Sequence, residues 1–73
     1  MNFIAYDGGC FNPKSVAAVY IDDDNKEHSM VSLTNGDKIL LEKPMIYTAN
    51  FIANVANENE DAVIAMLRGN AER

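Results

Sequence analysis

Met30-Val31-Ser32-Leu33-Thr34-Asn35-Gly36-Asp37-Lys38-Ile39-Leu40-Leu41 decides the fold of this 73-residue chain, because one turn in it sets where every flanking side chain points. Two aliphatic runs flank Asn-Gly, the strongest short-range hairpin signal. A two-residue turn at Asn35-Gly36 pairs Val31 with Leu40 and Ser32 with Ile39. Ile39 and Leu41 then face away from Val31 and Leu33. A three-residue loop, Thr34-Asn35-Gly36, with Gly36 left-handed in a bulge, pairs Val31 with Ile39 instead. Strand side chains alternate with period two, so this one-residue slip moves a whole set to the other face. The longer loop gathers Val31, Leu33, Ile39 and Leu41 on one face and is the register expected here. Met30 and Leu40 then point to the second face.

Upstream, Phe3-Ile4-Ala5-Tyr6 ends at Asp7-Gly8-Gly9, a turn signal, and Cys10 and Phe11 are placed to pair back across it. Asn12-Pro13 starts a further turn, since proline fixes its own φ and pushes Asn12 out of the helical region. Val16 to Ile21 favours a strand, and Asp22-Asp23-Asp24-Asn25 ends it. Either Tyr6 or Phe3, and either Tyr20 or Val19, must join Met30 and Leu40 on the second face, because their strands are apolar at successive positions. An antiparallel sheet with one wet face alternates more cleanly. Both faces are therefore expected to be covered, the second by another copy of the sheet.

Downstream, Lys43-Pro44 ends the last strand and the spacing turns helical from Thr48. Ile52, Val55, Ala56, Val63, Met66 and Leu67 form one stripe at 3.6 residues per turn, with Asn50, Asn54, Asn57 and Asp61 opposite. That supports one helix to about Arg68, stopped by Gly69. Asn59 interrupts the stripe; the alternative is a second short helix capped by Asn57, with Glu58, Glu60 and Asp61 in its first turn. The expected fold is a single α+β domain over residues 1–73. A small antiparallel sheet of three to four strands (about 3–6, 16–21, 29–33 and 37–42) precedes one C-terminal helix (about 48–68).

Size limits what this domain can do alone. A chain so short buries only ~60% of its unfolded surface, and its core is marginal without an added staple. Cys10 is the only cysteine and His28 the only histidine, which excludes an internal disulfide and a Cys- or His-rich zinc site. Self-association remains. No apolar run approaches the ~20 residues that span a bilayer. The N-terminal Met-Asn-Phe-Ile-Ala-Tyr-Asp lacks the basic region of a signal peptide. A cytoplasmic, reducing location fits a lone thiol. Six Lys and Arg oppose eleven Asp and Glu, a net charge of -5, and the basic residues are scattered. Binding to a phosphate backbone gains affinity from clustered basic residues, so direct nucleic-acid binding is not expected. A basic protein surface is an allowed partner.

Four places in the sequence invite catalytic or ligand chemistry. His28 lies beside Glu27 with no nucleophile near it in sequence, and reads as an exposed turn histidine. Cys10 has no identified base to lower its pKa, and reads as a small buried hydrophobe. A calcium loop starting at Asp22 or Asp23 needs glycine sixth and glutamate twelfth. Those positions hold Glu27 and Leu33, or His28 and Thr34, so the run reads as a solvated turn. Asp7-Gly8-Gly9 lacks the Lys-Ser/Thr pair and the following helix of a phosphate loop. No cofactor, metal or catalytic residue is expected, and the chain is read as no enzyme.

The order of features resembles a known family. A strand, Phe11-Asn12-Pro13, Val16 and Val19, an acidic turn, then Val31-Ser32-Leu33-Thr34-Asn35-Gly36-Asp37-Lys38 and a helix are similar to the FlbD/SwrD family of short flagellar-operon proteins. The resemblance covers about residues 3–56, and its most specific part is Leu33-Thr34-Asn35-Gly36. Pro44-Met45-Ile46 replaces the charged helix entry of that family, and the helix is richer in Asn and Ala. The resemblance implies a cytoplasmic accessory to motility, with no catalytic residues to carry over.

Two functions follow as expectations. One is a non-enzymatic regulatory or adaptor protein that acts as a homodimer and binds another protein, with Met30, Leu40 and Tyr20 as its contact residues. The alternative is an acidic inhibitor encoded by a phage or mobile element, blocking a basic site on a host protein through Asp22, Asp23, Asp24, Glu58, Glu60 and Asp61.

Overall fold

The central hairpin takes the three-residue loop. In the computed structural model, which describes residues 3–57, 64–66 and 69–72, strand β4 (Asn25–Leu33) pairs antiparallel with β5 (Lys38–Leu41), Val31 opposite Ile39 and Met30 opposite Leu40. Gly36 has φ of 94°, a left-handed value that an L side chain rarely adopts. The Leu33 amide donates to the Asp37 carbonyl (2.8 Å) and the Gly36 amide to the Leu33 carbonyl (3.0 Å), closing the bulged loop. Asn35 adds a side-chain clasp, its Oδ1 accepting from the Asp37 amide at 2.9 Å.

The α+β class holds, and the strands fall into two sheets. β1 (Phe3–Tyr6) turns at Asp7-Gly8 and pairs with β2 (Gly9–Phe11), Ala5 opposite Cys10 and Ile4 opposite Phe11. Asn12 then caps a single 3-10 turn (Pro13–Ser15), accepting the Lys14 amide at 2.9 Å. The larger sheet follows, with β3 (Val16–Asp22) at one edge beside β4 and β5. Val16 pairs with Leu33 but Ala18 with Ser32, which leaves Ala17 as an extra residue. This bulge shifts the alternation by one position, so Val16 and Val19 both pack toward the core despite their odd spacing.

Helix α1 runs Met45–Ala56, shorter than the helix expected over 48–68 and starting three residues earlier. Pro44, at φ of -58°, sits immediately before it, and the Thr48 amide donates to the Pro44 carbonyl at 3.0 Å. Ile52 and Val55 face inward, as their spacing predicts, and Thr48 is buried with them. The continuous helix does not extend to Arg68, because the chain beyond it is drawn into both sheets. β6 (Ile64–Met66) runs parallel to β1, and β7 (Gly69–Glu72) runs antiparallel to β5. These pairings satisfy a whole strand edge on each sheet, which outweighs the weak helical periodicity. Asn59, Val63, Leu67 and Arg68, on which the longer helix or a second one depended, lie outside the described residues.

Gly69 is likewise no helix stop. A Cβ there would meet the carbonyl oxygen of Leu40 and the side chain of Leu41, so its role is close backbone approach. The Asp7 amide donates to the Gly69 carbonyl at 3.0 Å, tying the end of β1 to the start of β7. The two sheets, ordered β2-β1-β6 and β3-β4-β5-β7, thus meet at that hydrogen bond and form one shell. Ile4, Phe11, Val31, Ile39, Leu41, Ile52 and Val55 are buried together inside it.

Candidate interaction surface

Strand alternation divides the larger sheet cleanly. Val19, Val31 and Ile39 stand opposite one another across β3, β4 and β5 and face the core. One position along, Tyr20, Met30 and Leu40 form the matching row on the outer face. The elements packed on this sheet, α1, β1 and β2, all reach it through the core side, where their buried residues lie. Tyr20 is 41% exposed at the sheet edge, while Met30 and Leu40 are half-buried by their neighbours in the row. Toward the hairpin loop the outer face continues with Ala18, Ser32 and Lys38. Toward the other end the register breaks, Ile21 pairing with Ser29 but Asp22 with Asn25, while β7 continues the sheet beyond β5 with Asn70 opposite Leu40 and Glu72 opposite Lys38.

Met30 and Leu40 thus point where the register required, and Tyr20 rather than Val19 joins them. Tyr6 and Phe3 do not: their strand belongs to the smaller sheet, and Tyr6 packs on the core with its ring 5.9 Å from that of Phe11. Asp22 ends β3, and Asp23 and Asp24 form an exposed two-residue turn in which the Asp24 amide donates to Asp22 Oδ1 (3.2 Å). That side chain is serving the turn. Glu58, Glu60 and Asp61 lie outside the described residues.

Two residues sit otherwise than expected. His28 is in strand β4 rather than in a turn, half-buried, with Nε2 3.4 Å from Asn25 Nδ2. The acidic turn is only two residues long, so β4 begins at Asn25, and His28 falls in the register shift between the Asp22–Asn25 and Ile21–Ser29 pairs. Cys10 is exposed, not buried, because in β2 it alternates with Phe11, and Phe11 takes the inward position.

Cys10 borders a shallow cleft of about 230 Å³ beside the hairpin loop, with Tyr6, Asn12, Leu33, Thr34 and Asp37 among its walls. Small-molecule sites commonly enclose about 300–1,000 Å³, so this cleft is undersized for one. Among the described residues no three metal-ligating side chains come together, and no helix is long and apolar enough to cross a membrane.

A second surface escaped the sequence reading. Helix α1 contains no charged residue, and it exposes Ile46 (64%) and Tyr47 (47%) near its start. The Tyr47 ring stacks on Phe51 at 6.1 Å, and Lys43 Nζ lies 5.3 Å from its centre. The signal was present in the sequence as an uncharged run from Pro44 to Asn57, in a chain that is otherwise strongly acidic. No family model, curated protein or solved structure matches the chain.

Proposed function

We propose that this chain is a non-enzymatic interaction module, a small regulatory or adaptor protein that engages another protein through the outer face of its larger sheet. The observation that carries this reading is the row Tyr20, Met30, Leu40, three large apolar side chains abreast on the face away from the core. Aromatic residues and methionine are enriched at interface centres, where charged residues are depleted. The row toward the hairpin loop brings Ser32 and Lys38, with Glu72 of β7 paired to Lys38, as a polar border. An exposed Cys10 thiol suits a reducing cytoplasm. The resemblance to the FlbD/SwrD family supports the same class of role, an accessory to motility.

The test is a comparison of three baits in a lysate of the native host: the natural chain, Met30→Asp, and Asn50→Asp on the exposed side of α1. Proteins captured by the natural chain and by Asn50→Asp should be lost with Met30→Asp, whose amide spectrum must remain that of a folded protein. Equal capture by all three would refute the outer face as the binding surface. The acidic-inhibitor reading is favoured by one observation, the exposure of Asp23 and Asp24 at the turn beside Tyr20. It predicts capture that disappears at high salt, since exposed charges are screened over ~3 Å at 1 M.

A further inference from the structure

We infer that β3 is a docking edge for a second copy of this chain, whose own β3 pairs with it antiparallel about a two-fold axis at Tyr20. The inference goes beyond the reading of the outer face, which this pairing leaves free and widens. It follows from which backbone groups the larger sheet leaves unspent. β3 is the last strand of that sheet, and among the described residues no strand pairs on its far side. The Leu33 amide bonds to Asp37, on the β5 side, whereas the Thr34 amide bonds to Ser15, just before β3. Successive residues of an antiparallel strand turn their N–H and C=O to opposite neighbours. Ser32 and Met30 therefore point to β3, and Ser29, Val31 and Leu33 to β5. Opposite them, Ala18 and Tyr20 bond to β4, so Val19 and Ile21 hold their N–H and C=O toward the open side.

The open edge is thus Val19 and Ile21, bounded by the bulge at Ala17 and the turn at Asp23-Asp24. Exposed edges are commonly blocked by lysine, proline or an inward-pointing charge. Val16-Ala17-Ala18-Val19-Tyr20-Ile21 contains none of these. Instead Tyr20 is 41% and Ile21 46% exposed, and with Ile46 and Tyr47 they are the large hydrophobic residues most open to solvent among those described.

A two-fold axis normal to the sheet joins two copies of one edge antiparallel. Centred on Val19, that pairing would need Ala17 opposite Ile21, inside the bulge. Centred on Ile21, it would set Val19 against Asp23, in the turn, and bring the two Asp22 carboxylates within ~7 Å of one another along the strands. Centred on Tyr20, Val19 of each copy meets Ile21 of the other, and every open N–H and C=O is paired. Asp22 then lies opposite Ala18, and the two Asp22 residues are ~13 Å apart along the strands, more than the ~10 Å over which salt screens exposed charges. Tyr20 stands against its own counterpart in the position where side chains approach most closely. The row Leu40, Met30, Tyr20 continues across the axis into the same row of the second copy, doubling the apolar outer face. A second copy brings the same two open residues and the same bounds, so this edge is complementary to itself.

So short an edge falls below the ~800 Å² per partner of a standard interface, and the dimer belongs to the weak class. Sedimentation equilibrium from ~10 μM to ~1 mM, the range of weak association energies, should show the natural chain passing from monomer to dimer. Ile21→Pro removes an outward donor at a position where an edge strand tolerates proline. By symmetry two hydrogen bonds are lost, so association should weaken ~10-fold or more, whereas Met30→Asp should leave it in place. Hydrogen exchange on the natural chain reads the same edge without a variant. The Val19 and Ile21 amides should slow as concentration rises, while those of Ala18 and Tyr20 stay slow throughout. For the register, Tyr20→Cys in a Cys10→Ser background should oxidise to a linked dimer, its Cα atoms being ~4.5 Å apart. Ile21→Cys in the same background should not, since it lies beyond the ~7 Å that a disulfide spans.

A species that stays at 8.1 kDa throughout would overturn the second copy as occupant and leave the three-bait test of the face untouched. A dimer whose Val19 and Ile21 amides exchange as fast as in the monomer would lie elsewhere and sink the inference. So would one lost with Met30→Asp or Tyr47→Asp but kept with Ile21→Pro. Oxidation of Ile21→Cys in preference to Tyr20→Cys would refute the axis at Tyr20.

Discussion

Ser29 and Thr48 make a buried hydroxyl relay whose direction can be read from its geometry, and that direction predicts an unequal pair of mutants. Both residues are fully buried, Ser29 on the core face of β4 and Thr48 in the first turn of α1. Ser29 Oγ lies 2.8 Å from the Lys43 carbonyl oxygen, to which it must donate, and 2.7 Å from Thr48 Oγ1. A hydroxyl has one hydrogen. With that of Ser29 spent on Lys43, Thr48 is the donor and Ser29 the acceptor between them. Ser29→Ala therefore strands two groups at once, a buried Thr48 hydroxyl and the Lys43 carbonyl. A buried unsatisfied group costs about 1–3 kcal/mol. The carbonyl is only partly buried and regains water, so the loss should be about 2–3 kcal/mol. Thr48→Val keeps the shape, leaves Ser29 donating to Lys43, and should cost about 1 kcal/mol.

The double variant is the decisive measurement. Removing both hydroxyls leaves only the Lys43 carbonyl short of a partner, so Ser29→Ala/Thr48→Val should be more stable than Ser29→Ala alone. Urea unfolding followed by far-UV circular dichroism reads this as a shift in midpoint at unchanged slope. A domain of this size has roughly 4–11 kcal/mol to lose, so all three variants should still fold. A Thr48→Val penalty equal to that of Ser29→Ala, or a double variant showing the sum of the two, would refute the donor assignment.

Two other perturbations separate conformational from steric demands. Gly36→Ala meets open space but forces a Cβ into left-handed backbone, and should cost about 1–2 kcal/mol. Gly69→Ala must displace the Leu40 carbonyl as well, so its urea midpoint should fall further than that of Gly36→Ala; the reverse order would mean β7 does not approach β5 this closely. Cys10 should react with a thiol reagent in the native protein at close to the rate of the unfolded chain, and Cys10→Ser should leave the midpoint within about 0.5 kcal/mol, as surface substitutions do. Strong protection of the thiol would place β2 with its other face outward.

The parts of this fold legible in the sequence are those set by neighbours. The Gly36 loop, the pairing of Val31 with Ile39, the return of Cys10 and Phe11 across Asp7-Gly8, and the inward side of Ile52 and Val55 each follow from residues a few positions apart. What was illegible depends on partners distant in the chain. Ile64–Met66 has an unremarkable apolar composition that suits helix or strand, and only the open edge of β1 makes it a strand. Gly69 signalled a special backbone demand, but helix termination and close approach leave the same mark. The outer row was legible because it is the complement of the core register. Ile46 and Tyr47 lie before Thr48, where the helical spacing becomes readable, so the apolar stripe marks only the inward side of α1.

The order of pairing has a kinetic consequence. β3, β4 and β5 meet through short turns and can zip together from contacts close in sequence, whereas β1 finds β6 only by joining Phe3 to Ile64. Closing so long a loop carries an entropic cost that must be met before its contacts reward it. On the ribosome the meander can assemble first, while β1 waits with one side unmatched until Ile64–Met66 has emerged. Two short strands close together in the chain, β6 and β7, then supply the missing neighbour to each sheet, so both sheets wait on one stretch of sequence.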